Sequence, residues 1–222
     1  MGDRLRRLWN FDDLDATESR LRSQLESEAH EGGQAEVLTQ LARVRGLRDD
    51  FAGGERLLEE AERRAGASKA ARIRIDLERG RLLRSAGDSA AALPLFMSAF
   101  HAAIAAGEQF LAADAAHMAA LAAPDRAGKL DWTQRGIDIA EASPDRDIAY
   151  WLGPLLNNLG VEYAESGEHQ KALAAFERAL EIRLRYPENQ DAIAWARESV
   201  EEARAAVSGR SPSSPEEPRT PR

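Results

Sequence analysis

The sequence predicts an all-α protein, a solenoid of antiparallel helical hairpins with about four similar units and a capping helix at each end. Three observations carry this. Hydrophobic residues make up 43% of the chain but aromatics only 6%. Alanine dominates the apolar set, so the side chains favoured by strands are sparse and those that let helices approach closely are plentiful. Next, the stretches 38–61, 76–99 and 156–179 align with one another over 24 residues without a gap. Finally, the steps Gly87-Asp88 and Gly167-Glu168 stand between apolar runs. Glycine tolerates the left-handed turn that ends a helix, and an acidic residue suits the N-terminus of the next one.

The first element is an N-terminal segment and capping helix over residues 1–33. The helix is expected over 13–29, starting at Asp12 or Asp13, with Leu14, Leu21 and Leu25 on one stripe. Trp9 and Phe11 are expected to staple its first turn, and Gly32-Gly33 to end it.

The array follows over 34–189, in units of about 34–66, 70–106, 108–143 and 148–187. Each first helix carries a small residue at its centre: Ala42, Gly80, Ala119 and Gly160. In the three aligned units a turn residue comes seven positions later, at Asp49, Gly87 and Gly167. Twelve positions on stand Gly54, Ala92 and Ala172, sixteen on Leu58, Phe96 and Phe176, and nineteen on Ala61, Ala99 and Ala179. Small residues belong where two helices cross, and the bulky residue fills the gap beside that crossing. The third unit fits with a first helix from Glu108 to Ala123, a break at Pro124 and a second helix from Leu130 to Ser143, with Gly136 in place of the last alanine. Departures are Arg45, Asp76 and Arg79 at apolar or aromatic slots, and Pro94, which is expected to kink its helix.

A last helix is expected over 190–207, with Ile193, Trp195, Val200 and Val207 as apolar contacts. It reads as the first half of an incomplete fifth unit that caps the array. Residues 208–222, SGRSPSSPEEPRTPR, read as a disordered tail.

The pattern resembles the tetratricopeptide repeat, most closely at Leu156, Leu159, Gly160, Tyr163, Ala172, Phe176 and Ala179. The resemblance covers about residues 35–187. The small slots lie 38, 39 and 41 residues apart. That exceeds the usual 34 of the repeat and is similar to the longer units of the kinesin light chain and of repeat proteins common in bacteria. The resemblance implies a right-handed α-α superhelix whose first helices line a concave groove.

On that implied groove stand Thr39, Gln40, Arg43, Glu78, Arg81, Arg84, His117, Asn157 and Asn158. Amides can both donate to and accept from a peptide backbone, and arginines can pair with carboxylates on a ligand. The Asn157-Asn158 pair resembles the asparagines with which kinesin-light-chain and chaperone-binding repeats hold peptides, whereas the lysines of the chaperone carboxylate clamp are missing. Other uses stay open. The asparagines can bond the neighbouring repeat, His117 can be an inter-helix residue, and the arginines can pair with Glu78 and Glu162.

Other functions find little support. The formal net charge is −8, with one small basic cluster at Arg4, Arg6 and Arg7, so no nucleic-acid partner is expected. Cysteine is absent, which excludes disulfides and thiolate chemistry. The four histidines fall in separate elements without metal-ligand spacing, and no phosphate loop or nucleophile motif occurs. No catalytic residue, metal or cofactor is therefore expected. The start lacks a secretory apolar stretch. The most apolar run, residues 110–123, is broken by Asp114 and His117, so no membrane span and a cytoplasmic location are expected. The expected function is a protein-interaction scaffold that holds a peptide or protein partner in the groove. The alternative is a regulatory or sensor module that binds a small signal and acts on a partner in trans. A homodimer through a terminal repeat is the remaining possibility.

Overall fold

The computed structural model describes residues 3–209. These are helical, with no strand among them, and form two compact units. One ends at Leu155 and the other begins at Leu156, inside a helix.

The first unit opens with a single 3-10 turn, Arg6–Leu8, followed by α1 (Leu14–Ser27). Three hairpins come next: α2 (Glu31–Gly46) with α3 (Phe51–Ala65), α4 (Lys69–Ser85) with α5 (Ser89–Ala106), and α6 (Gln109–Ala122) with α7 (Arg126–Ala142). The short α8 (Arg146–Ala149) precedes α9 (Leu152–Glu165). From α1 to α8 each helix packs on the next, and α2 also packs on α4, as α4 does on α6. This is the nearest-neighbour stacking of a repeat solenoid. In the second unit α10 (His169–Arg183) packs on α11 (Gln190–Val207).

Local chemistry sets the helix ends. The carboxylates of Asp13, Asp50, Asp88 and Asp125 and the hydroxyl of Ser68 each accept from the backbone N–H three residues on. These are N-caps, which satisfy an orphan donor of the first turn. At the hairpin bends Asp49, Gly87 and Gly167 all have positive φ, at 59°, 92° and 75°. Asp49 is the one non-glycine residue with positive φ among those described.

The small-to-large spacing is realised as contact. A Cβ placed on Gly80 would lie 2.5 Å from the Phe96 ring, and one on Gly160 would lie 2.5 Å from Phe176. Ala42 and Leu58 take the corresponding places in the first hairpin, in one cluster with Leu82 of α4. The polar departures find partners on neighbouring helices. Arg79 pairs with Glu55 at 2.9 Å and Glu62 at 3.0 Å, Asp76 accepts from Ser98 at 2.8 Å, and Arg45 pairs with Glu18 at 3.2 Å.

Several sequence expectations change. Gly32 and Gly33 do not end a segment but lie in the first turn of α2, which starts at Glu31. Helix α7 starts at Arg126, four residues before the expected Leu130, because Asp125 caps it. Pro94 leaves α5 continuous. Pro94 and Ala90, whose carbonyl loses its donor, are both exposed, so water can take the bond. Trp195 is not a packing residue: it is 50% exposed, while Ile193 and Val200 of the same helix are buried. The longest apolar helix is not 110–123 but α5, which carries no charge over Ser89–Ala106 and has a mean hydropathy of 1.5. By length and composition α5 could cross a membrane; here its Phe96, Ala99, Phe100 and Ala103 are buried and it pairs with α4 and α6. The expected tail lies, from residue 210 on, outside the described residues.

Candidate functional site

The expected groove residues of the first unit sit on α2, α4 and α6. Arg43, Glu78 and Arg81 among them are joined by charge. Arg81 pairs with Glu78 at 3.0 Å and with Asp114 of α6. Arg43 lies within electrostatic reach of Glu78, Arg81 and Asp114. Burial pushes the Glu78 carboxyl above the usual range, and Arg81 and Arg43 only partly oppose this. For Asp114 burial works in the same direction, but Arg81 and Arg43 outweigh it and hold the carboxyl below its ordinary range. Two neighbouring carboxylates are thus pushed apart in opposite directions. Enzymes use such pairs as acid and base, but here both are held by arginine.

The floor is not open. Residues 3–11 lie over it, and Trp9 and Phe11, expected as a staple on α1, make their polar and cation–ring contacts with α2. Asn10 ties the segment to α1: its N–H donates to Thr17 Oγ1, and its carbonyl accepts from the same hydroxyl, each at 2.8 Å. Trp9 turns onto α2, where its Nε1 donates to Gln40 Oε1 at 3.0 Å. Its ring stacks on Phe11 at 4.9 Å, and the Arg43 guanidinium lies 5.1 Å from the first ring and 5.4 Å from the second. Leu5 is 1% exposed, in a cluster with Val37, Leu38, Leu41 and Ile75. Asp3 pairs with Arg74 of α4, and Arg74 also reaches Glu36 at 3.3 Å. Arg4 bonds Glu28 at 2.6 Å and Glu36 at 3.3 Å. At the far side Arg6 donates to the Asp147 carbonyl at 3.1 Å and stacks on Tyr150 at 3.9 Å.

Thr39 is fully buried, and its hydroxyl donates to the Glu36 carbonyl at 2.7 Å, so it presents nothing to a ligand. Gln40 is buried and engaged by Trp9, and Glu78 is buried against Arg81. Arg43 and Arg84 are half-buried and make no hydrogen bond or ion pair with a described residue. His117 is half-buried, with its ring 5.5 Å from that of Trp151. Asn157 and Asn158 lie on the part of α9 that belongs to the second unit, the former buried and the latter half-buried.

Asp3, Glu36, Arg74 and Asp114 escape the sequence reading. Asp114 carries the one usable signal, a carboxylate inside an otherwise uncharged run and three residues before His117, which places both on one helix face. No group of three or more metal-ligating residues occurs among the described residues.

All of this is the architecture of an all-α helical-repeat solenoid. The family model described as tetratricopeptide repeat matches residues 154–184, which run from α9 through α10. No curated protein matches the chain.

Proposed function

We propose that the chain is a protein-interaction module, of the longer-unit kind similar to the kinesin light chain, that holds a peptide or protein partner on the face of its first helices. The observation that carries this is residues 3–11: a peptide segment already lies on that face in the first unit, held almost wholly by side chains. The repeat at 154–184 is of a type that generally binds proteins rather than catalysing reactions. Arg84 and Asn158, half-buried and on first helices, are the residues to test, because substituting Arg81 would break a buried ion-pair network. Affinity capture with wild type, Arg84→Ala and Asn158→Ala should lose the specific partner in at least one variant. Equal capture by all three would remove this face as the site.

A second reading, a sensor of a small signal acting in trans, is favoured by two buried atoms. Asp114 Oδ1 and Trp151 Nε1, an acceptor and a donor, have no hydrogen-bond partner among the described residues. A buried unpaired polar atom is costly and is where a ligand or water is expected to bind. A thermal-shift screen of metabolites against wild type and Asp114→Asn tests it: a stabilising compound must lose its effect in the variant. A cytoplasmic location and the absence of a nucleic-acid partner belong to the same proposal, as does a homodimer through the exposed Trp195 end, which light scattering would detect.

A further inference from the structure

The chemistry that holds residues 3–11 specifies a ligand. Three anchors recur at fixed positions around the 3-10 turn: the Asp3 carboxylate, the Leu5 side chain and the Trp9 indole. Each answers a need of the floor. The side chains of Arg74 and Asp3 are both 7% exposed, and a buried guanidinium left short of a carboxylate is strongly destabilising. Val37, Leu38 and Ile75 would be left wet without an apolar plug. The buried Gln40 Oε1 needs a donor, and Arg43, with no carboxylate bonded to it, rests against an aromatic face.

The segment contributes little backbone to this. The N–H groups of Arg6, Leu8 and Trp9 bond within the turn, to Asp3, Leu5 and Arg6, and the backbone bonds of the segment to a helix go to α1, at Asn10 with Thr17 and at the Leu8 carbonyl with Arg20, not to α2 or α4. Any peptide that presents the same three side chains on a similar turn can therefore satisfy the same floor. Phe11, 56% exposed, and the exposed Arg7 show that the segment lies at the surface.

We propose that residues 3–11 are a built-in occupant of this face, and that the partner is a peptide carrying an acidic residue, a leucine two positions on and an aromatic residue four beyond that, which competes with the segment for Arg74, the Leu5 slot, Gln40 and Arg43. The proposal rests on the protein-interaction reading and gives it a ligand chemistry.

The test uses the full chain and a fluorescent synthetic peptide of residues 1–12, with a scrambled control. Wild type should bind it weakly, because its own segment competes. The full chain with Asp3→Ala, Leu5→Ala and Trp9→Ala should bind it at least about tenfold tighter, and adding Arg74→Ala should remove about tenfold or more, the range of a lost charge-assisted pair. A folded triple variant that ignores the peptide, or binding indifferent to Arg74, overturns the proposal. Should the triple variant fail to fold, hydrogen exchange on wild type decides. The amides of residues 6–9 must exchange at least about tenfold faster than the core amides of α2 and α4; equal protection makes the segment a permanent part of the core and ends the proposal. Dimers in light scattering that persist in Trp195→Ala but are lost in the triple variant would show exchange of the segment between copies, replace the foreign peptide with a second copy and also overturn it. The result is separable from the capture experiment: failure of the peptide while capture still depends on Arg84 or Asn158 sinks the ligand chemistry and leaves the interaction reading standing.

Discussion

The guanidinium of Arg6 lies 3.9 Å from the centre of the Tyr150 ring, and its Nη1 donates to the carbonyl of Asp147 at 3.1 Å. This contact carries the N-terminal segment from α2 and α4, at the start of the first unit, to the turn that precedes α9. A cation on an aromatic face contributes about 0.5–2 kcal/mol, depending on how far it is desolvated.

Arg6→Ala should lower stability in urea by about 1 kcal/mol, and Arg6→Lys should restore only part of that, because lysine lacks the planar fork. No change in the unfolding midpoint for Arg6→Ala would mean that the contact is not made in solution.

Gly160→Ala and Gly167→Ala separate two roles of glycine. At Gly160 a methyl meets the Phe176 ring at 2.5 Å, so the core must shift, at a cost of about 1–3 kcal/mol. At Gly167 the space is open but φ is +75°, so the cost is backbone strain alone, about 1 kcal/mol. Phe176→Leu should relieve the first variant and leave the second unchanged. Equal effects in both backgrounds would remove the steric account.

The tryptophans should divide by burial. Trp132, which is buried and sets its ring edge-on to Phe100 at 5.1 Å, should cost about 3–5 kcal/mol as Trp132→Ala. Trp195→Ala should stay within about 0.5 kcal/mol, because half of that side chain already faces solvent. A large loss at Trp195 would place it in an interface, and its dependence on protein concentration would show this directly.

Glu78 and Asp114 should act on pH-dependent stability with opposite signs. The Asp114 carboxyl is held below its ordinary value of 3.8, so its contribution is present above that pH and is lost as the pH falls below it. The Glu78 carboxyl is raised above 4.5, so the folded state holds its proton longer and stability declines as the pH rises above that value. Asp114→Asn should therefore flatten the acid limb of a stability–pH curve, whereas Glu78→Gln should flatten the decline above about pH 4.5. Identical curves for the two variants would contradict the assigned directions.

Much of the fold was legible because its signals are local. The Gly80–Phe96 and Gly160–Phe176 contacts span sixteen residues, one helix and its turn, and the periodicity that places them is written along the chain. Asp49, Gly87 and Gly167 adopt positive φ where the spacing put a turn. The site was legible only in part. Arg81 and Glu78 were found by register, but not Asp114, which pairs with Arg81 from the next hairpin, nor Arg74, whose partner Asp3 is 71 residues away.

By itself, then, the sequence determined an all-helical repeat with its crossing residues and turns, because helix propensity, small-residue spacing and glycine conformation act over one hairpin at a time. Only the tertiary structure decided that Trp9 and Phe11 set their rings against Arg43, and that the expected groove face of the first unit carries the chain's own N-terminal segment. That segment has just one 3-10 turn and no periodic pattern, so its position follows from the buried charge of Arg74, the apolar slot for Leu5 and the free oxygen of Gln40, which exist only once the hairpins have stacked.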